Sequence, residues 1–455
     1  MNPELRGDSF LIVGFGREGR SVLKLLRQRC PGARIGVADR KWVRLEAGES
    51  DGVRVHSGED YLSEAGSYDT IIRSPGVSLR EISPHLSPAS RVTSATNIFF
   101  AECPGVTVGV TGTKGKSTTS ALTAAILSSV FSDVRLVGNI GEPMLDHLTG
   151  ATAETRFVIE LSSYQLEDLR RSPSVAILLN IVPEHLDYHG GFESYCAAKV
   201  GIARSQGASD LLVVNEGNEL LRLLTASCKG SRVCFSEAGS GSALVSVRDG
   251  TIGVNHESGF APVMAVDSLP VRGPGNLQNA LAAVTCAVAL GASPEQVRRG
   301  LQSFKPLEHR LEFVATKDGV SFYNDSLSTI PEALEHALQA LGEGVETIIA
   351  GGFDRGVDMT PVGPAIAASG VKNLILFPTT GEKIWRSAVA AAPGRAYVRV
   401  DVESMEEAVQ AAYDLTSQGK ICVMSPASSS FSVFVDYRDR GEQFRSSVMR
   451  LGKRR

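Results

Sequence analysis

The sequence predicts an α/β protein of three domains, and three observations predict it. An apolar run at 10–13 leads into Gly14-Phe15-Gly16-Arg17-Glu18-Gly19 and then a helical pattern at 21–28. A second glycine-rich turn, Thr111-Gly112-Thr113-Lys114-Gly115-Lys116-Ser117-Thr118-Thr119, lies between a strand-like run at 106–110 and a helix-like run at 117–130. After residue 306, buried apolar runs alternate with helical patterns, the signature of a parallel βα array. The expected architecture is an N-terminal Rossmann-like domain (1–96), a central P-loop-type ATPase α/β domain (97–305) and a C-terminal Rossmann-like domain (306–455). A length of 455 residues accommodates this at the usual ~100–200 residues per domain.

Composition narrows the class. Hydrophobic residues at 43% and aromatics at 6% fit a soluble α/β protein. Lys+Arg 46 against Asp+Glu 50 leaves a formal net charge of −4, which argues against a nucleic-acid or membrane-surface partner. The basic tail 450–455 is short and reads as a solvated terminus. The seven cysteines are odd in number and form no CxxC pair, so a disulfide framework or Cys-rich zinc site is not expected. The opening MNPELRGDSF has no basic start and no apolar h-region. No apolar run reaches the ~18 residues of a membrane span. A cytoplasmic protein is expected.

Taken in order, the strand at 34–38 ends in Asp39, which with the first glycine turn completes the dinucleotide-fold fingerprint. That fingerprint leaves the ligand open between a nicotinamide dinucleotide and a nucleotide sugar diphosphate. A strand at 70–73 runs into the tight turn Ser74-Pro75-Gly76-Val77, at the end of a strand where open α/β sheets bind ligands. In the central segment, strands are expected at 157–161, 175–180 and 211–214. Small β excursions are expected at 230–272, and an Ala-rich helix at 276–290. In the last segment the strands are 320–323, 347–350, 374–377 and 421–424.

The central glycine turn aims backbone N–H groups at a phosphate chain, with Lys116 and Ser117 placed for the terminal phosphate and Mg²⁺. The alternative is an ordinary β–α turn with a chance Gly-Lys-Ser. A strict Walker A motif has glycine where this chain has Val110. Glu160 comes straight off a strand, and Glu184-His185-Leu186-Asp187 closely follows another, so a carboxylate and an imidazole reach the phosphate-loop side and suit a metal. Singly, each reads as an ordinary surface or turn residue. Lys199, on a helical stretch, would ordinarily be a solvated lysine. Glu308-His309-Arg310, Asn324-Asp325-Ser326 and the turn at 351–356 are polar segments that either serve as mere turns or line a cleft.

In this order these residues resemble the Mur ligases of bacterial peptidoglycan synthesis, and within them the glutamate-adding branch. The match rests on the 111–119 loop, Gly138-Asn139-Ile140-Gly141, Glu160-Leu161-Ser162-Ser163-Tyr164-Gln165-Leu166, the Glu184–Asp187 group, Ala197-Ala198-Lys199, His309-Arg310 and Asn324-Asp325-Ser326. It spans essentially the whole chain. The compact glycine-turn N-terminal domain separates it from the diaminopimelate- and D-Ala-D-Ala-adding branches. The resemblance implies an ATP-dependent, ADP-forming ligase that adds glutamate, most simply D-glutamate, to UDP-N-acetylmuramoyl-L-alanine, acting as a monomer on small molecules.

The resemblance also implies roles. Gly16, Arg17, Glu18, Asp39, Arg40, Ser74, Pro75, Gly76, Asn139 and Ser162 would bind the UDP substrate. Gly112, Thr113, Lys114, Gly115, Lys116, Ser117, Thr118, Asn276, Asn279, Arg310 and Asp325 would bind ATP. Ser117 and Glu160 would hold one Mg²⁺, and His185 and Lys199 a second. Lys199 would be carbamylated, which turns a cation into a carboxylate-like ligand. Lys116, His185 and Lys199 would be catalytic. Thr329, Arg355, Ser430 and Tyr437 would bind glutamate. The branch commonly reads Asn-Asp-Ser-Lys-Ala-Thr-Asn where this chain has Leu327 and Ile330 in place of the lysine and the final asparagine, and Arg355 stands for the acceptor-loop lysine. An arginine still clamps a carboxylate bidentately. The same reaction with L-glutamate, a folylpolyglutamate-type ligase, a nicotinamide-dependent oxidoreductase and a catalytically silent nucleotide-binding module are the rival readings.

Overall fold

The computed structural model describes residues 2–452 apart from 47, 141, 240–241, 272–273, 306–307 and 432. Gly141 of the Gly-Asn-Ile-Gly run, the expected 306 boundary and the end of the basic tail therefore lie outside the described residues, as does the Asp187 side chain. The chain divides into two compact units, Met1–Lys305 and Pro306–Arg455. Among the described residues the strands form three sheets, within a mixed α/β fold.

The first unit opens with a five-stranded, all-parallel sheet made of β1 (Ser9–Val13), β2 (Arg34–Asp39), β3 (Val53–Ser57), β4 (Thr70–Arg73) and β5 (Arg91–Ser94), in the order β3-β2-β1-β4-β5. Every residue of β1 is buried, as a central parallel strand covered on both faces requires. The order reverses between β1 and β4, so a crevice opens at their carboxyl ends. Helix Ala95–Glu102 then passes to the second sheet. Phe99 packs edge-on against Phe157, with ring centroids 5.1 Å apart, and one hydrophobic core runs through both sheets.

The second sheet has β6 (Val106–Thr111), β7 (Val134–Gly138), β8 (Arg156–Glu160), β9 (Val175–Leu178), β10 (Leu211–Asn215), β11 (Ser231–Ser236), β12 (Val245–Arg248), β13 (Thr251–His256) and β14 (Gly259–Ala265), in the order β14-β13-β12-β11-β10-β9-β6-β8-β7. Strand β6 lies between β9 and β8, which puts the loop after it at the second switch point. The stretch expected to form small β excursions instead extends this sheet. Strands β11 and β12 continue the parallel ladder, and β13 and β14 complete it as an antiparallel edge.

The second unit holds β15 (Glu312–Lys317), β16 (Val320–Asn324), β17 (Val345–Gly351), β18 (Asn373–Phe377), β19 (Val398–Asp401) and β20 (Ile421–Met424), in the order β15-β16-β20-β17-β18-β19, with only β15 antiparallel. Ile348, Ala350 and Leu374 face one hydrophobic cluster, whereas Ile349, Ile375 and Met424 face another. Both faces of the sheet are therefore covered, as period-2 side chains in a two-sided sheet demand. Among the described residues no helix is long and apolar enough to cross a membrane, and all seven cysteines are free.

Candidate active site

A cavity of about 450 Å³ opens at the first switch point. Its walls bring together Gly16, Arg17, Glu18, Asp39, Ser74, Pro75, Gly76 and Asn139, all selected from sequence, and add Gly138 and Gln165. Arg40 and Ser162 are not on its walls. The Arg40 guanidinium donates to Glu81 at 2.7 Å, and Ser162 caps helix Ser163–Leu166 by accepting from Gln165 N. Asp39 braces the glycine turn, accepting from Phe15 N at 2.8 Å.

The phosphate-type loop follows β6. Val110 is fully buried in the strand, paired with Glu160 of β8 and Ile177 of β9, so a glycine there would serve no turn. The turn falls at Gly115, whose φ of +85° favours glycine. A Cβ there would sit 2.1 Å from Asn279 Oδ1, and Asn279 donates to Asn276 Oδ1 at 3.0 Å. Asn279 thus stands against the turn of the loop, with Asn276 bonded to it. Asn180, given no role from the sequence, holds the loop from the next strand end: its Oδ1 accepts from Lys114 N at 2.8 Å and its carbonyl from Thr113 N at 2.8 Å. The Thr113 hydroxyl meets the Tyr195 hydroxyl at 2.9 Å. Thr118 is partly exposed in the first turn of helix Lys116–Ser128.

Charged groups gather on this loop. Lys116 Nζ donates to Gly112 O and Thr113 O at 3.0 and 2.9 Å, and Lys199 Nζ donates to the same Gly112 O at 2.7 Å. Lys199 is only 2% exposed. Burial, then the Lys116 ammonium, push its amine down to about 7. Lys114 Nζ donates to Glu184 Oε1 at 2.6 Å, and Glu184 Oε2 lies 3.9 Å from His185 Nε2. Burial alone would raise the Glu184 carboxyl, but Lys114 holds it below the usual range. His185 takes the left-handed conformation (φ 55°) before helix Leu186–His189 and lies 5.1 Å from the Tyr164 ring.

Glu160 ends β8 and is 2% exposed. Its Oε1 accepts from Asn139 Nδ2 at 2.9 Å, while its buried Oε2 has no partner among the described residues. An orphaned carboxylate oxygen at a strand end, beside a loop carrying buried Ser117, is a donor set that fits a hard divalent cation. Among the described residues, the His, Cys, Asp and Glu atoms that lie within 4.8 Å of one another in a group of three are those of Glu308, His309 and Glu442. There the Arg445 guanidinium already donates to Glu442 at 2.8 Å and lies 3.7 Å from Glu308.

In the second unit, the loops after β16, β17 and β20 carry the remaining candidates. Asp325 is 2% exposed, accepts from Leu311 N and Ser425 Oγ, and is pushed up to about 6 by burial. Arg310 is exposed, and Thr329 partly so. Arg355 donates to Ser429 Oγ at 2.7 Å, next to buried Ser430. Tyr437 opens helix Tyr437–Arg450, and its carbonyl accepts from Ser326 Oγ at 2.7 Å. The sequence reading missed Arg440. Its guanidinium, 1% exposed, donates to Ser326 and Ser428 and ties these loops together.

A glycine loop with lysine and hydroxyl, an orphaned carboxylate beside it and a substrate-sized cavity in the same unit define an enzyme built around a nucleotide phosphate. Residues 110–287 match the Mur ligase middle domain, and residues 309–428 match the Mur ligase glutamate ligase domain. The chain is 33% identical to the UDP-N-acetylmuramoylalanine–D-glutamate ligase of Acidobacterium capsulatum over 458 residues, covering 98% of this chain and 97% of that protein. It is 33% identical over 449 residues to the ligase of the same name from Geobacillus kaustophilus, covering 97% of each. In fold it is similar to the solved UDP-N-acetylmuramate-alanine ligase MurC of Thermotoga maritima, at a TM-score of 0.58 and 17% identity over 97% of this chain and 99% of that one. The MurF structure from Acinetobacter baumannii gives a TM-score of 0.56 at 18% identity, over 99% of this chain and 92% of that one. The chain belongs to the Mur ligase family. It is an ATP-dependent, ADP-forming amide ligase.

Proposed function

We propose that the protein joins D-glutamate to UDP-N-acetylmuramoyl-L-alanine, using ATP, in cytoplasmic peptidoglycan precursor synthesis, and that it does so as a monomer. The observation that carries this reading is the hydrogen bond from Asn139, on the wall of the nucleotide-sugar cavity, to Glu160 beside the phosphate loop. A substrate whose UDP end fills that cavity has its far carboxylate directed toward the γ-phosphate. The first and third sheets act as Rossmann-type binding frames and the second as a P-loop-type frame.

The alanyl carboxylate takes the γ-phosphoryl group, giving an acyl phosphate and ADP. The glutamate amine then displaces phosphate. Activation is needed because a carboxylate is a poor acylating agent. Lys116 neutralises charge on the transferred group, and the loop N–H groups orient the phosphates. Ser117 and Glu160 would hold one Mg²⁺, and His185 and a carbamylated Lys199 a second. Mg²⁺ supplies charge neutralisation on the phosphates. As an ammonium, Lys199 would repel a cation, whereas its carbamate would serve as a ligand and would sit favourably beside Lys116. Asn276, Asn279, Arg310 and Asp325 complete the nucleotide site. Arg355, Thr329, Ser430 and Tyr437 hold the incoming amino acid.

Phosphate release with ATP, UDP-N-acetylmuramoyl-L-alanine and each glutamate enantiomer tests the reading. Release with D-glutamate supports it, and release with neither enantiomer overturns it. Release with L-glutamate alone transfers it to the second reading, for a region altered from the branch's pattern at Leu327 and Ile330.

A further inference from the structure

Glu18 stands in the first turn of helix Arg17–Arg29, on the wall of the nucleotide-sugar cavity. A carboxylate is an odd choice beside a diphosphate, which carries negative charge and offers no hydrogen-bond donor. Its surroundings resolve the oddity. Oε1 accepts from Gln165 Nε2 at 3.1 Å. The Gln165 amide is locked in that orientation, because its own Oε1 accepts from Ser162 N and Ser162 Oγ, both at 3.0 Å. Oε2 is buried and has no partner among the described residues. A buried carboxylate oxygen left unpaired is costly, and the residue that carries this one lines the cavity.

The elements that line the cavity indicate which part of a ligand reaches Oε2. Asp39 and the 74–76 turn come from the carboxyl ends of β2 and β4 in the first sheet. Glu18 is bonded to Gln165, which follows β8 of the second sheet as Asn139 follows β7, and Asn139 is bonded to Glu160 at the phosphate loop. In a UDP-sugar with a peptide arm, the sugar is the group between the diphosphate and the reacting carboxylate. It is also the group rich in donors, namely its ring hydroxyls and N-acetyl N–H. We infer that Glu18 Oε2 accepts a hydrogen bond from the hexosamine of the UDP substrate, making Glu18 a determinant of the sugar and not of the diphosphate. The inference rests on the proposed UDP-substrate reading of this cavity.

Calorimetric titration of UDP and of UDP-N-acetylglucosamine, a hexosamine without the peptide arm, into the full chain tests it, using the wild type, Glu18→Ala and Glu18→Gln. The glutamine has one acceptor, which Gln165 Nε2 claims, so a donor would face the sugar. Both variants are expected to weaken UDP-N-acetylglucosamine binding by about tenfold to a hundredfold while UDP binds as well or better. ADP–Mg²⁺ binding serves as the check that each variant is folded. Equal loss for UDP and UDP-N-acetylglucosamine, or no loss for either, overturns the assignment. Wild-type protein that binds neither ligand overturns the UDP reading itself, which is a separate result. In turnover, KM for the UDP substrate should rise in the variants while KM for ATP holds.

Discussion

At the scale of single residues, burial singles out charged groups that the sequence reads as ordinary. Lys199 reads from sequence as a solvated lysine, and only the family resemblance picked it out. Yet it falls four residues after Tyr195 and three after Cys196 on helix Phe192–Val200, and all three are buried on one stripe. That placement was legible in the spacing; that the stripe faces Gly112 was not, because it depends on a contact 87 residues away. Lys199→Ala is expected to lower phosphate release by about a hundredfold or more, with partial recovery in added formate or acetate. Full activity without carboxylate would contradict the carbamate. Asp325 gives a second residue-scale prediction. Its folded carboxyl is raised to about 6, so between its unfolded value and that point the folded state holds more protons than the unfolded one. Stability therefore falls as pH rises through this window and stays lower above it. Asp325→Asn keeps the acceptor for Leu311 N and removes the ionisable group. At pH 8 it should increase amide-exchange protection of β20 by an amount on the order of 1–3 kcal/mol, with the gain vanishing near pH 4, while abolishing ligation.

At the scale of elements, the phosphate loop shows what local sequence can carry. Glycine spacing, the lysine and the hydroxyl all announced it, because they fall together between 112 and 117. Val110 was legible too, as part of the strand. What could not be read was the brace: Asn180 and Tyr195 hold the loop from other elements. Gly115→Ala would place a methyl at φ +85° against Asn279 Oδ1, costing about 1–2 kcal/mol in backbone strain alone. ADP–Mg²⁺ affinity should drop in that variant, and Asn279→Ala in the same chain should offset part of the stability loss but not the backbone term; a double-mutant cycle of denaturation midpoints measures the split. The strands that escaped the sequence reading, β3, β5, β7, β15 and β19, are all sheet edges. Their half-exposed patterns lack the continuous apolar run that marked β1, β17 and β18.

At the scale of the whole molecule, the first unit is one body because polar clamps reinforce its shared core. Arg73, at the end of β4, is 1% exposed and pairs with Asp168 at 2.7 Å, while its guanidinium also donates to Tyr164 O and Val77 O. Arg73→Met would strand Asp168 and Glu167 and is expected to destabilise the unit by about 3–5 kcal/mol, read as a lower denaturation midpoint of that transition. The sequence marked Arg73 only as a strand's last residue, since its carboxylate partners lie more than ninety positions further on. Apolar runs alternating with helical patterns did foretell the mixed α/β fold, because that alternation runs along the whole chain. The Asn139–Glu160 hydrogen bond has a consequence at this scale as well. On the proposed reading it makes two ligands thermodynamic neighbours: whatever draws the Asn139 amide toward the cavity takes a hydrogen bond away from the carboxylate beside the phosphate loop. By linkage, a nucleotide sugar and a nucleotide–metal complex must then change each other's dissociation constants by one common factor. In Asn139→Ala that factor should fall to unity, with ADP–Mg²⁺ binding alike in the presence and absence of the UDP substrate. The mutual affinity of the two substrates would then rest on a single side-chain amide.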